Sequence, residues 1–103
     1  MKFETVSADD LIRLKDELKF TSNQMAELTG LANGRQFRRY TSLADDPKNG
    51  RKMSFHMLFY LAARMLALRG IAITIDGVYA EMRRVGATVD PAADSDSPEQ
   101  VGE

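Results

Sequence analysis

Residues 21–40 read TSNQMAELTGLANGRQFRRY, and this stretch decides the fold. Thr21 and Gln24 stand at the spacing of a capping box, in which each side chain satisfies a free backbone N–H of a helix's first turn. Phe20 precedes the cap and Met25 lies four residues inside the helix, the arrangement of a hydrophobic staple. The helix runs about two turns, through Met25, Ala26 and Leu28, before Gly30, which can take a left-handed C-terminal conformation. Ala26 is small enough to let a second helix approach closely. After the connection Leu31-Ala32-Asn33-Gly34 comes Arg35-Gln36-Phe37-Arg38-Arg39-Tyr40. Phe37 and Tyr40 are three apart and share one helical face, and Arg35, Arg38 and Arg39 project from the opposite side. The spacing predicts two short helices joined by a glycine-containing turn, the second with an aromatic inner face and an arginine outer face.

Toward the N-terminus, Ser7-Ala8-Asp9-Asp10 supplies an N-cap hydroxyl and two carboxylates where the helix dipole favours negative charge. Asp9 and Asp10 are read as helix-start acids in preference to a catalytic pair. Leu11, Leu14 and Leu18, with Ile12 beside them, recur at helical spacing, so one stripe of a helix ending near Lys19 faces a core.

Toward the C-terminus, residues 41–53 (TSLADDPKNGRKM) contain the turn formers Asp46-Pro47 and Asn49-Gly50 and read as a loop. Asp45 and Asp46 are read there as solvated acids, and Lys48, Arg51 and Lys52 as a basic edge able to rest on a phosphate backbone. Ser54 caps the next helix, which runs to Arg69 and is stopped by Gly70. Phe55, Leu58, Phe59, Ala62, Met65, Leu66 and Leu68 cover more than one stripe of it. It is therefore a central core helix, half of a subunit interface, or both, and Phe55, Leu58, Phe59, Met65 and Leu66 are the candidate dimer or core positions. His56, the one histidine, has no visible nucleophile or orienting acid and is assigned a structural role.

Residues 71–89 carry two signals. Ile71 to Ile75 followed by Asp76-Gly77 fits a short β-hairpin near residues 71–82. Ile75, Val78, Tyr79, Met82 and Val85 fit a helix that Thr74 caps and Gly86 ends, and the helix is preferred. Residues 90–103 are polar and acidic, with nothing to bury, and read as a disordered tail. The expected architecture is a compact all-α bundle of four to five helices over residues 1–89, its last part serving packing or dimerisation.

A chain of 103 residues supports one modest core. With no cysteine, disulfides, thiolate metal sites and cysteine nucleophiles are excluded, and a reducing cytoplasm is the natural compartment. The opening MKFETVSADD lacks the apolar run of a signal peptide. The most apolar stretch, Met53 to Leu68, is interrupted by His56 and Arg64 and is shorter than the ~20 residues of a membrane span. Net charge is -1, but residues 21–53 hold six basic and three acidic side chains and residues 90–103 hold five acids and no base. The near-zero sum hides a basic body and an acidic tail, so it does not oppose a polyanionic partner.

The string QMAELTGL (residues 24–31) resembles the first helix and turn of the Cro and phage-repressor (XRE-like) class of helix-turn-helix DNA-binding domains, in which QLAELTGL-type strings are common. The resemblance covers roughly Ser7 to Leu68 and is strongest over Gln24 to Leu31. It implies that Asn33, Arg35, Gln36, Arg38 and Arg39 lie where that class presents base-reading and phosphate-contacting side chains. Arginine binds guanine bidentately and glutamine reads adenine; which residue reads a base is left open. In one departure, Phe37 and Tyr40 fall one position later than usual after the turn glycine, which lengthens the turn by one residue at Asn33-Gly34. The function implied is a sequence-specific regulator of transcription, phage or prophage derived, binding double-stranded DNA as a homodimer. The rival is a small protein-interaction module or phage-encoded inhibitor that keeps the fold without DNA binding, its interface built on Phe37 and Tyr40 between arginines. No nucleophile-base pair, metal cluster or phosphate loop points to an enzyme, and no cofactor is implied.

Overall fold

Five times along the chain a Ser, Thr or Asn side chain accepts a hydrogen bond from the backbone N–H three residues on, and each time a helix begins. In this computed structural model, which describes residues 1–42, 48 and 50–92, the caps are Ser7, Thr21, Asn33, Ser54 and Thr74. They start α1 (Ala8–Leu18), α2 (Ser22–Thr29), α3 (Gly34–Thr41), α4 (Phe55–Leu68) and α5 (Ile75–Arg84). Each cap contributes about 1 kcal/mol by satisfying an otherwise orphaned donor. Ser7 and Thr21 complete reciprocal capping boxes with Asp10 and Gln24. The expected turns at Asp46-Pro47 and Asn49-Gly50, the acids Asp45 and Asp46, and the tail beyond residue 92 lie outside the described residues, Gly50 excepted.

The C-termini differ in kind. Gly30 ends α2 in the left-handed region at φ 81°, as its sequence position implies. Lys19 ends α1 at φ 57°, and it is the one described residue other than glycine with a positive φ. Its N–H donates to Asp16 O and that of Phe20 to Lys15 O, both at 3.2 Å, so two orphan carbonyls of α1 are satisfied at the cost of a strained lysine.

The molecule is mostly helical, but an expectation of helices alone needs correction. A β-strand β1 (Lys2–Glu4) pairs antiparallel with β2 (Thr88–Asp90), matching Lys2 to Asp90, Phe3 to Val89 and Glu4 to Thr88. Asp90 therefore belongs to the sheet and not to the tail. The Arg83 guanidinium donates to Val89 O at 2.9 Å and moors β2 to the end of α5. No hairpin forms over residues 71–82. Asp76 and Gly77 lie in the first turn of α5, because Thr74 Oγ1 accepts from Gly77 N at 3.0 Å and helical spacing buries Val78 and Met82.

The core gathers around α4, which packs on α2 on one side and α5 on the other. Leu58, Leu61, Ala62, Met65 and Leu66 of α4 meet Met25 and Leu28 of α2, Phe37 of α3, Leu11 and Leu14 of α1, and Val78 and Met82 of α5. A fully buried side chain of this size contributes roughly 1.5–3 kcal/mol. An aromatic cluster closes the end nearest the sheet: Phe55 meets Phe3 edge-on at 5.1 Å and Tyr79 at 6.3 Å, with Phe59 at 5.9 Å.

One carboxylate is buried in this frame. Glu81 on α5 is 4 % exposed and takes Arg69 at 2.6 Å and Arg84 at 2.8 Å, one guanidinium on each oxygen. Burial alone pushes its pKa up, but hydrogen bonds from Arg84 and Arg69 and their charges outweigh it and hold the carboxyl below the ordinary glutamate value. Arg69 caps the C-terminus of α4, so this cluster pins the α4–α5 connection.

Candidate functional site

Two N-termini meet where α2 and α3 pack together. Asn23 Oδ1 accepts from Gly34 N at 2.7 Å, and Gly34, the first residue of α3, is buried. A Cβ on Gly34 would lie 2.8 Å from Asn23 Oδ1 and 2.9 Å from the Asn23 and Ser22 backbone, so only glycine permits this approach. Buried Ala26 leaves room on the same helix, and Leu31 N donates to Ala26 O at 2.8 Å as the chain leaves α2. Asn33 is the N-cap of α3 and Gly34 is inside the helix.

This placement divides the five candidates of the second helix. Asn33 Oδ1 is committed to Gln36 N at 3.0 Å, and Gln36 Oε1 reaches back to Ala32 N at 3.0 Å. The side-chain oxygens of both residues are occupied in starting the helix, and each residue retains its amide donor. Arg35, Arg38 and Arg39 remain exposed on the outer face, opposite Phe37 at 0 % exposure and half-buried Tyr40. Among the described residues none of these three guanidiniums has a hydrogen bond or ion pair. The arginines of α1, α4 and α5, and Arg69 after α4, are engaged: Arg13 with Asp10, Arg64 with both oxygens of Glu27 and with Tyr60, Arg69 and Arg84 with Glu81, and Arg83 with Val89 O.

The basic loop joins this face in part. Arg51 N donates to Arg39 O at 2.9 Å, which sets Arg51 beside the last turn of α3, where cations complement the helix dipole. Arg51 and Lys52 are exposed and, with Tyr40 and residues 4–9, line an open groove of about 550 Å³. Glu4 and Asp9 stand in the same lining, so the groove is of mixed charge. Lys48 is exposed, with no contact among the described residues that ties it to α3. Asp9 and Asp10 are separated in role. Asp9 lines the groove, while Asp10 serves the capping box and Arg13. Partial burial pushes the Asp10 carboxyl up, and the Ser7 and Arg13 hydrogen bonds outweigh it, leaving its pKa below the usual value.

The candidate dimer or core set is drawn inward. Leu58, Met65 and Leu66 are buried in the core, and Phe55 and Phe59 are half-buried in the aromatic cluster. The exposed large apolar residues from α4 onward are instead Tyr60, Leu68, Ile71, Ile73 and Ile75, and the isoleucines belong to the part of the chain expected to serve packing or dimerisation. Their signal was the alternation Ile71, Ile73, Ile75 in a stretch without charge. Of the aromatic pair in the protein-interaction alternative, Phe37 is buried and Tyr40 is half-buried and lines the groove. His56 is exposed at the start of α4, its ring edge-on to Phe55 at 5.9 Å, and is not packed in the core. Among the described residues no helix is long and apolar enough to cross a membrane.

Comparison with known protein families, with curated proteins and with solved structures finds no match to this chain.

Proposed function

We propose that this chain is a sequence-specific double-stranded DNA-binding regulator of transcription, of phage or prophage type, in which α2 and α3 act as a helix-turn-helix and α3 enters the major groove. The observation that carries the proposal is the row of Arg35, Arg38 and Arg39, exposed on one helix face without partners among the described residues while the arginines of α1, α4 and α5 are engaged. A guanidinium held without an acid keeps its full fork of donors for a phosphate or for the O6 and N7 edge of guanine. Arg51, fixed against α3 by its backbone, extends the same charge toward the flanking phosphates. Because a single short helix makes few contacts, two copies act together on half-sites about one DNA turn apart.

A mobility-shift titration against the DNA upstream of the chain's own coding sequence, repeated at several salt concentrations, tests the proposal. Binding should weaken steeply with salt, the logarithmic slope growing by about 0.9 for each phosphate neutralised. The triple substitution Arg35→Ala, Arg38→Ala, Arg39→Ala should abolish the complex. A complex that is indifferent to salt, or one that the triple variant still forms with wild-type affinity, rules the proposal out.

A further inference from the structure

We propose that the segment Ile71–Thr74, with Ile75 at the start of α5, is where two copies of this chain meet, pairing edge to edge across a two-fold axis at Ile73. Leu68, Ile71, Ile73 and Ile75 are 48–59 % exposed on the connection between α4 and α5. Residues 71–74 lie in no helix or strand, and Thr74 has extended dihedrals, φ −126° and ψ 160°. The connection is held in place by the Arg69–Glu81 ion pair and by Ile71 N donating to Leu66 O at 2.9 Å. Among the described residues, Ala72 N–H, Ile73 N–H and the Ile73 carbonyl have no hydrogen-bond partner. An uncharged extended edge with free backbone groups is a template for a further strand.

The sequence of the segment selects a second copy as that strand. Isoleucine-alanine-isoleucine-threonine-isoleucine is nearly palindromic about Ile73. Antiparallel pairing on a two-fold axis sets Ala72 opposite the other copy's Thr74 and brings Ile71 to the other copy's Ile75 at the start of α5. The two Ile73 residues exchange both of their free backbone groups. Ile71 and Ile73 then fall on one face, because side chains alternate along a strand. Charge agrees with this register. Gly70 to Ile75 carries none, so no like charges face each other across the axis. Such self-matching is what a closed isologous contact needs.

The apolar surface presented is on the order of 400 Å² per copy, about half that of a standard interface, so the dimer is weak and concentration-dependent. It supplies the pairing that DNA recognition calls for, but it rests on this segment alone and is measured without DNA. Light scattering or sedimentation of the full chain from about 1 to about 200 µM brackets the micromolar affinity of a small interface. The mass should rise from monomer to dimer across that range. Ile73→Asp, at a position outside the core, should raise the dissociation constant at least about tenfold while leaving the helical circular dichroism and the thermal midpoint unchanged. The chain has no cysteine, so Ile73→Cys reports on the axis directly. Paired residues of this kind have Cα atoms about 5.5 Å apart, within disulfide reach. Oxidation should give a covalent dimer from Ile73→Cys and little from Ile12→Cys on exposed α1. Wild-type chain that stays monomeric throughout, an Ile73→Asp variant that still dimerises equally, or equal cross-linking at both cysteine positions overturns the proposal.

Discussion

Asn23 and Gly34, eleven residues apart, are joined by a 2.7 Å hydrogen bond from the Gly34 backbone to the Asn23 side chain, and no Cβ fits between them. Gly34→Ala forces Asn23 or the whole start of α3 aside. Overpacking of this kind costs roughly 1–3 kcal/mol, to be read as a lowered midpoint in urea denaturation. Asn23→Ala removes the acceptor only and should cost about 1 kcal/mol. Because α3 carries the arginine row, Gly34→Ala should also weaken DNA binding by more than its stability loss explains when both are measured at a temperature where the variant is fully folded.

Single alanine substitutions separate the roles of the three arginines. A residue on a phosphate should weaken binding to all sequences alike and lower the salt slope by about 1, while one that reads a base should cost about 1–3 kcal/mol on the preferred site alone. All three side chains are exposed and unpaired within the described residues, so the thermal midpoints of the single variants should match wild type.

The Glu81 cluster predicts an acid limb in the stability profile. Its folded pKa lies below the ordinary value of 4.5, so its contribution is fully present above that value and is lost as pH falls through the folded one. Denaturation midpoints from pH 7 down to pH 3 should fall more steeply for wild type than for Glu81→Gln. At pH 7 Glu81→Gln should itself cost about 1–2 kcal/mol, less than the ~3–5 of a fully buried pair, since the two arginine side chains are 44 and 45 % exposed.

Lys19 offers a change in the other direction. A left-handed lysine is strained by roughly 1–2 kcal/mol, part of which glycine gives back in the entropy of the unfolded chain. Lys19→Gly should raise stability by about 0.5–1 kcal/mol; an unchanged or lower midpoint would show that the lysine side chain contributes to packing.

The helices were legible because their signals are local. Ser7, Thr21, Ser54 and Thr74 each bond a backbone group three residues away, so spacing alone marks the start, and Gly30 marks an end. The ambiguity at residues 71–82 has a physical origin too. Isoleucine alternation is a genuine extended-strand signal, and residues 71–74 are indeed outside any helix, but Thr74 captures Gly77 before the Asp76-Gly77 turn can form. The β1–β2 pair left no trace because each strand is three residues long and its partner lies more than eighty residues away.

The arginine face was also readable from sequence, since Phe37 and Tyr40 at helical spacing imply the side on which Arg35, Arg38 and Arg39 stand. What a linear pattern does not contain is occupancy. Asn33 and Gln36 have the right chemistry for bases, yet their oxygens are used in capping; Arg69 and Arg84 have the same charge as Arg38, yet both are consumed by Glu81. The sequence by itself determined the caps at Ser7, Thr21, Ser54 and Thr74, the helix order and which face of α3 is basic, because those depend on neighbours within one or two turns. Only the tertiary structure decided which polar groups remain free, which apolar residues α4 keeps for the core, and that the isoleucines of 71–75 are left outside it. Burial and pairing are settled by residues distant along the chain and adjacent in space.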